Sequence, residues 1–219
     1  MKETGVIFNS VMVQADLDGR KSMTRRIRGL ERINQYPDQW LCDGKMNENG
    51  LFTFASDQLG KEIDVKCPYG RPGDLIWVKE TYFPAVKFRM FPQFSESPDF
   101  LYKADGSFIG CQNWNPSIFM PKSAARIWLQ IVSIRTERLQ DISEEDAIAE
   151  GLEIIEEGCN DKWYRIEEDS IHFRKAWYAF KHLWIRINDN ESWHANPWVW
   201  RIEFRVLSKS GKPDIIPNL

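Results

Sequence analysis

The chain's 219 residues, 42% hydrophobic and 13% aromatic, suffice for one sizeable core, and ten Trp are more than an interior alone needs. With 29 Lys and Arg against 32 Asp and Glu, the net charge is -3. That balance excludes a protein that coats nucleic acid through charge alone, while leaving room for a local basic site.

Cys42, Cys67, Cys111 and Cys159 form no CxxC pair and read as reduced, mostly buried thiols. His172, His182 and His194 are too scattered for a zinc site, so neither a metal nor another cofactor is expected. No apolar run follows Met1, and no segment approaches the ~18 apolar residues of a membrane span. The expectation is a soluble cytoplasmic protein that makes no membrane contact.

In chain order, residues 6–9 form a short strand, and Ser10 caps a helix over residues 11–17. Gly19 stops that helix, since glycine adopts the left-handed conformation at a helix end without steric cost. The basic stretch Gly19-Arg20-Lys21-Ser22-Met23-Thr24-Arg25-Arg26 then turns into a short strand. Residues 29–66 show a weaker pattern and read as an insertion, with one strand at 51–54. Pro72-Gly73-Asp74 leads into a buried strand at 75–79 that contains Trp77 and is followed by Glu80. Residues 81–120, rich in Phe, Pro, Ser and Asn, read as a second insertion whose aromatics make their own small core.

Regularity returns with the longest strand, residues 125–135. Ser143 caps a short helix, Asp146 sits where a carboxylate returns the bond, and Gly151 ends it. An acidic segment at 153–169 leads to a helix over 170–188, with Phe173, Trp177, Phe180 and Trp184 on a packing face. Residues 198–206 alternate as a strand, and residues 208–219 read as a tail. With no βαβαβ series, the pattern predicts a single α+β domain over residues 1–207, around a small, curled antiparallel sheet.

Lys21 is the sharpest chemical candidate. Like charge from Arg20, Arg25, Arg26 and Arg28 would disfavour its ammonium form, whereas a nearby carboxylate would do the reverse. The plainest reading of the stretch is a solvated basic strand edge. The alternative is a phosphate-binding patch, because Arg offers a fork and Lys a point charge. Thr24, Glu80 and Glu150, taken singly, are ordinary strand and surface residues.

The stretch resembles the ASCH-domain signature Gly-x-Lys-x-x-Glu-x-Arg, with Gly19, Lys21 and Arg26 matching and Thr24 replacing Glu. The bacterial N4-acetylcytidine amidohydrolases of that family carry Lys and Thr at these two positions. Residues 142–150, Ile-Ser-Glu-Glu-Asp-Ala-Ile-Ala-Glu, look like the helix that bears their third catalytic residue, which puts Glu150 in that role. Phe8-Asn9, Cys67-Pro68-Tyr69-Gly70, Pro72-Gly73-Asp74, Trp77-Val78-Lys79-Glu80 and Asn196-Pro197-Trp198-Val199-Trp200 are similar in order to a phage- and prophage-encoded ASCH group.

The resemblance implies a PUA-like curled antiparallel β-barrel with flanking helices and insertions. It also implies a nucleoside or RNA, with a modified base, as partner. Lys21, Thr24 and Glu150 would be catalytic in hydrolysing an N4-acylcytidine amide. Arg20, Arg25, Arg26, Trp77 and Glu80 would bind substrate, Trp77 by stacking on the base. A non-catalytic binding module, a nuclease and a phage assembly factor are the alternatives, because a shared fold hosts different functions.

Overall fold

The computed structural model describes residues 1–85, 99–106, 113–157, 161–166, 171–214 and 216. In chain order its strands are β1 (Glu3–Ile7), β2 (Met23–Arg26), β3 (Phe52–Ser56), β4 (Lys61–Val65), β5 (Leu75–Lys79), β6 (Tyr82–Pro84), β7 (Phe100–Tyr102), β8 (Trp128–Arg138), β9 (Glu153–Glu157), β10 (Asp161–Arg165) and β11 (Trp198–Ser208). Its helices are α1 (Ser10–Leu17), α2 (Glu144–Ala149), α3 (Ala176–Asn188) and α4 (Asn190–His194). The architecture is mixed α+β, with a sheet-rich core and few helices.

Five strands form the central sheet in the order β1-β5-β8-β11-β2. β1 and β5 run parallel, whereas β5–β8, β8–β11 and β11–β2 are antiparallel. The parallel β1–β5 pair corrects the expectation of an antiparallel sheet. The sheet is mixed, and among the described residues no strand pairing closes it, leaving β1 and β2 as its edges. Side chains do part of the bridging. Arg26 at the end of β2 donates from Nη2 to the Ile7 carbonyl at the end of β1, 2.9 Å away.

The main core packs against this sheet. Alternation along β11 buries Trp200, Ile202 and Phe204, and these pack with Phe8, Val13, Val78 and Ile131. The stretch read as a loose insertion at 29–66 contributes heavily to this core. Its β3–β4 hairpin lays Phe52 edge-on to Trp200 (4.9 Å between centroids) and Phe54 edge-on to Trp198 (5.2 Å). Burying each phenyl ring contributes about 1.5–3 kcal/mol. The hairpin is thus a covering layer of the domain.

A second cluster of Leu75, Tyr82, Met120, Ala124, Ala125 and Trp128 packs with the partly buried Trp77. The stretch at 81–120 supplies Tyr82 and Met120 and contains the β6–β7 hairpin. Phe88, Phe91, Phe94 and Phe108 of its expected aromatic core lie outside the described residues. The acidic segment holds a second hairpin, β9–β10, and the following helix starts later than expected because Phe173 pairs with Tyr164 as an isolated bridge. The segment read as a tail docks back. Gly211 N–H donates to the Arg126 carbonyl (2.8 Å), and Lys212 pairs with Glu3 (2.9 Å). Among the described residues no helix is long and apolar enough to cross a membrane.

Candidate functional site

The site is assembled by two turns that lie 130 residues apart in sequence, from Lys21 to Gly151, and adjacent in space.

 

In the first turn Asn9, not Ser10, caps α1, its Oδ1 accepting from Met12 N–H at 2.9 Å. Gly19, with φ +76°, folds the chain back so that the N–H groups of Arg20 and Lys21 both reach the Ala15 carbonyl (2.9 and 3.1 Å). That tuck carries the Lys21 side chain inward, to 1% exposure. The solvated basic edge expected of the plainest reading is therefore not what forms at Lys21.

In the second turn Ser143 Oγ caps α2 by accepting from Asp146 N–H (3.1 Å). Gly151 then takes φ +102°. A Cβ there would lie 2.7 Å from Ala15 Cβ and 3.1 Å from Lys21 Cβ, so only glycine lets this turn seat against α1 and Lys21. Ser22 N–H donates to the Ala149 carbonyl (2.9 Å), and Lys21 and Glu150 form an isolated antiparallel bridge.

These two turns bring Lys21 and Glu150 together. Lys21 Nζ donates to Glu150 Oε2 at 2.9 Å and to the Glu150 carbonyl at 2.8 Å. Glu150 Oε1 accepts from Arg25 Nη1 at 3.1 Å. All three residues are buried, and the Glu150 carboxylate is held from both sides by Lys21 and Arg25. Removing one partner of such a buried pair costs about 3–5 kcal/mol.

Thr24 lies opposite Ile202 on β11, on the face that Arg26 and Trp200 share. It is buried, and its Oγ1 has no hydrogen-bond partner among the described residues. The Lys21 ammonium sits 5.4 Å and the Arg26 guanidinium 5.2 Å from the centroid of the Phe8 ring, so both converge on one aromatic.

The other expected substrate contacts divide sharply. Arg20 pairs with Asp18 (2.8 Å) and donates to the Gly151 carbonyl (2.6 Å), bracing the second turn. Arg25 donates to Glu137 (2.8 Å) and Asp146 (2.6 Å) as well as Glu150, and Asp146 also accepts from Arg201 (2.6 and 3.0 Å). Asp146 thus serves this network instead of returning the capping bond. Burial works against its carboxylate, yet the Arg201 hydrogen bonds and the Arg25 charge hold it below its ordinary value. In Glu137 burial prevails and raises the carboxyl.

Glu80 is buried and gripped by Arg126 through two bonds of 2.9 Å, so its carboxylate is engaged inside the fold. Trp77 packs beneath Gly5, where an added Cβ would come within 2.6 Å of the indole. It belongs with the second cluster, whereas the Phe8 ring under Lys21 belongs to the main core. The structure does not bring Trp77 to the Lys21–Glu150 pair.

Asp16 is the residue that sequence reasoning missed. It is 0% exposed, and neither carboxylate oxygen has a hydrogen-bond partner among the described residues. Burial pushes its carboxyl up to about 7, opposed chiefly by Lys21 and reinforced by Glu80. Its signal was positional: Asp16 falls four residues after Met12 and three after Val13, on the helix's buried side.

Beside the pair lies a cavity of about 200 Å³. Met12, residues 25–28, Tyr69 and Glu150 line it, and α3 closes it with Phe180, Leu183, Trp184, Ile187 and Asn188. Glu150 is therefore shared between the buried ion pair and the cavity wall. Among the described residues no three His, Cys, Asp or Glu side chains gather as a metal site. No family model, curated protein or solved structure matches the chain.

Proposed function

We propose that this chain is an ASCH-type, PUA-like protein that hydrolyses an acylated exocyclic amine on a cytosine base. The observation that carries this reading is a buried Lys21–Glu150 pair whose carboxylate also lines a cavity walled by aromatic and cationic side chains. The resemblance of the Gly19–Arg26 and 142–150 segments to the amidohydrolase motifs supports this pair and adds Thr24.

Amide hydrolysis needs an oxygen nucleophile, a stabilised oxyanion and a protonated leaving amine. Lys21 donates to two acceptors on Glu150, which suits it to stabilise the oxyanion as an ammonium and not to accept a proton. Glu150 accepts the proton of the Thr24 hydroxyl, or of a water that Thr24 orients, as that oxygen bonds to the acyl carbon. When the C–N bond breaks, Glu150 returns the proton to the departing N4 amine. If Thr24 itself attacks, water then releases the acyl group by the same steps in reverse. Arg25 and, through it, Asp146 and Glu137 are positioning residues for Glu150.

The test is release of cytidine from N4-acetylcytidine by the purified chain, with Thr24→Val as the matched control. Turnover in the parent that is lost in the variant supports the reading; equal turnover, or none in either, removes it. A binding module without catalysis is the second reading, favoured by the way Lys21 and Glu150 already satisfy each other, and it predicts base binding with no release of acetate.

A further inference from the structure

Resting on the nucleobase reading of this cavity, we propose that its ligand is phosphorylated, with the phosphate held at the rim by Arg26 and Arg28. Both arginines line the cavity. Their neighbour Arg25 has its donors occupied by Glu137, Asp146 and Glu150. Arg26 and Arg28 differ: among the described residues neither has a carboxylate within ion-pair distance. Of the nearby acids, Glu31 is engaged by the Gly29 N–H (2.9 and 3.0 Å) and Glu150 by Lys21 and Arg25, while Asp16 is buried without an ion-pair contact to Arg26 among the described residues.

Arg26 has a further unmet requirement. Its Nη2 reaches the Ile7 carbonyl, but its Nε is buried with no acceptor among the described residues. A buried guanidinium donor without an acceptor is costly, and a phosphate oxygen is the acceptor that its fork geometry matches best. Arg28 is exposed at the cavity, and its backbone is fixed because its carbonyl accepts from Trp200 Nε1 at 3.0 Å. The guanidinium therefore projects from an anchored backbone.

Size and walls agree with this division of the ligand. A cavity of about 200 Å³ is smaller than the ~300–1,000 Å³ of a site that encloses a drug-sized molecule. It takes a base between walls that include Tyr69 and Trp184 and leaves sugar and phosphate at the rim. The phosphate is either a terminal 5′-monoester or a diester in a strand, and the chemistry of recognition is the same for both.

The experiment uses ligands without an acyl group, so its outcome is independent of turnover. The intact chain is titrated with cytidine, cytidine 5′-monophosphate and the dinucleotide CpC, followed by calorimetry at low and high salt. Cytidine 5′-monophosphate, CpC or both should bind about ten- to a hundredfold more tightly than cytidine, with the advantage shrinking as salt rises. A gain for the monophosphate alone assigns a terminal phosphate, and an equal gain for CpC assigns a strand backbone. Arg28→Ala should remove the gain, and Arg32→Ala, an exposed control outside the cavity, should leave both the gain and the cytidine affinity unchanged. Equal affinity for all three ligands, no binding of any, or a gain that survives Arg28→Ala overturns the proposal. Hydrolysis of N4-acetylcytidine without a phosphate advantage would overturn this inference and leave the catalytic reading standing.

Discussion

Asp16 gives the most quantitative prediction. Its folded-state carboxyl is raised from 3.8 to about 7, mainly by burial, with Lys21 as the largest opposing influence and Glu80, Lys209 and Arg26 as the other charges acting on it. At 1.36 kcal/mol per pKa unit, that rise corresponds to about 4 kcal/mol of stability. The sign follows from proton binding. Between about pH 4 and 7 the folded state holds a proton on Asp16 that the unfolded state has released, so this contribution falls as pH rises. Asp16→Asn, neutral at every pH, lacks that loss. The assay is urea unfolding of both proteins from pH 4.5 to 8, reading their stability difference so that titrations common to both cancel. The difference should grow in favour of Asn by about 1.4 kcal/mol per pH unit and level off above pH 7. A difference that stays flat with pH would show that Asp16 ionises normally, and the account of a buried unpartnered acid beside Lys21 would fail.

Other perturbations separate structural from chemical roles. Thr24→Val removes a buried hydroxyl that has no partner among the described residues, so stability should stay the same or rise by up to about 1 kcal/mol in urea unfolding even as acyl release is lost. Glu150→Gln leaves Lys21 and Arg25 without their shared charge and should cost about 3–5 kcal/mol by the same measurement. Gly151→Ala combines a positive φ with a 2.7 Å approach to Ala15 Cβ and should lower stability by about 1–3 kcal/mol, read as a drop in the urea midpoint.

Much of the central sheet was legible because local pattern and environment agree. The Pro72-Gly73-Asp74 turn announces β5, and the alternation of Trp200, Ile202 and Phe204 announces β11 and its buried face. Gly19 and Gly151 mark the ends of α1 and α2, and both take the positive φ that a helix end favours. The hairpin partner β4 was hidden because Lys61-Glu62-Ile63-Asp64-Val65 is mostly charged on its open side. The parallel pairing of β1 with β5 was equally hidden, since strand direction depends on distant connections and not on the residues of either strand.

The site was legible in its parts but not in its wiring. Lys21 and Glu150 were each named from short motifs, yet nothing local shows that their side chains meet across 129 positions. Arg25 looked like a ligand for phosphate because its three acidic partners lie more than 100 residues away. Asp16 was overlooked because an acid in a short helix ordinarily faces water, and only tertiary packing turns it inward.

The most direct measurement is single-turnover release of cytidine from N4-acetylcytidine by the parent chain and Thr24→Val, with unfolding curves recorded on the same samples. The account predicts release by the parent, none above background by the variant, and undiminished stability in the variant. Equal release from both proteins, or none from the parent, would contradict it.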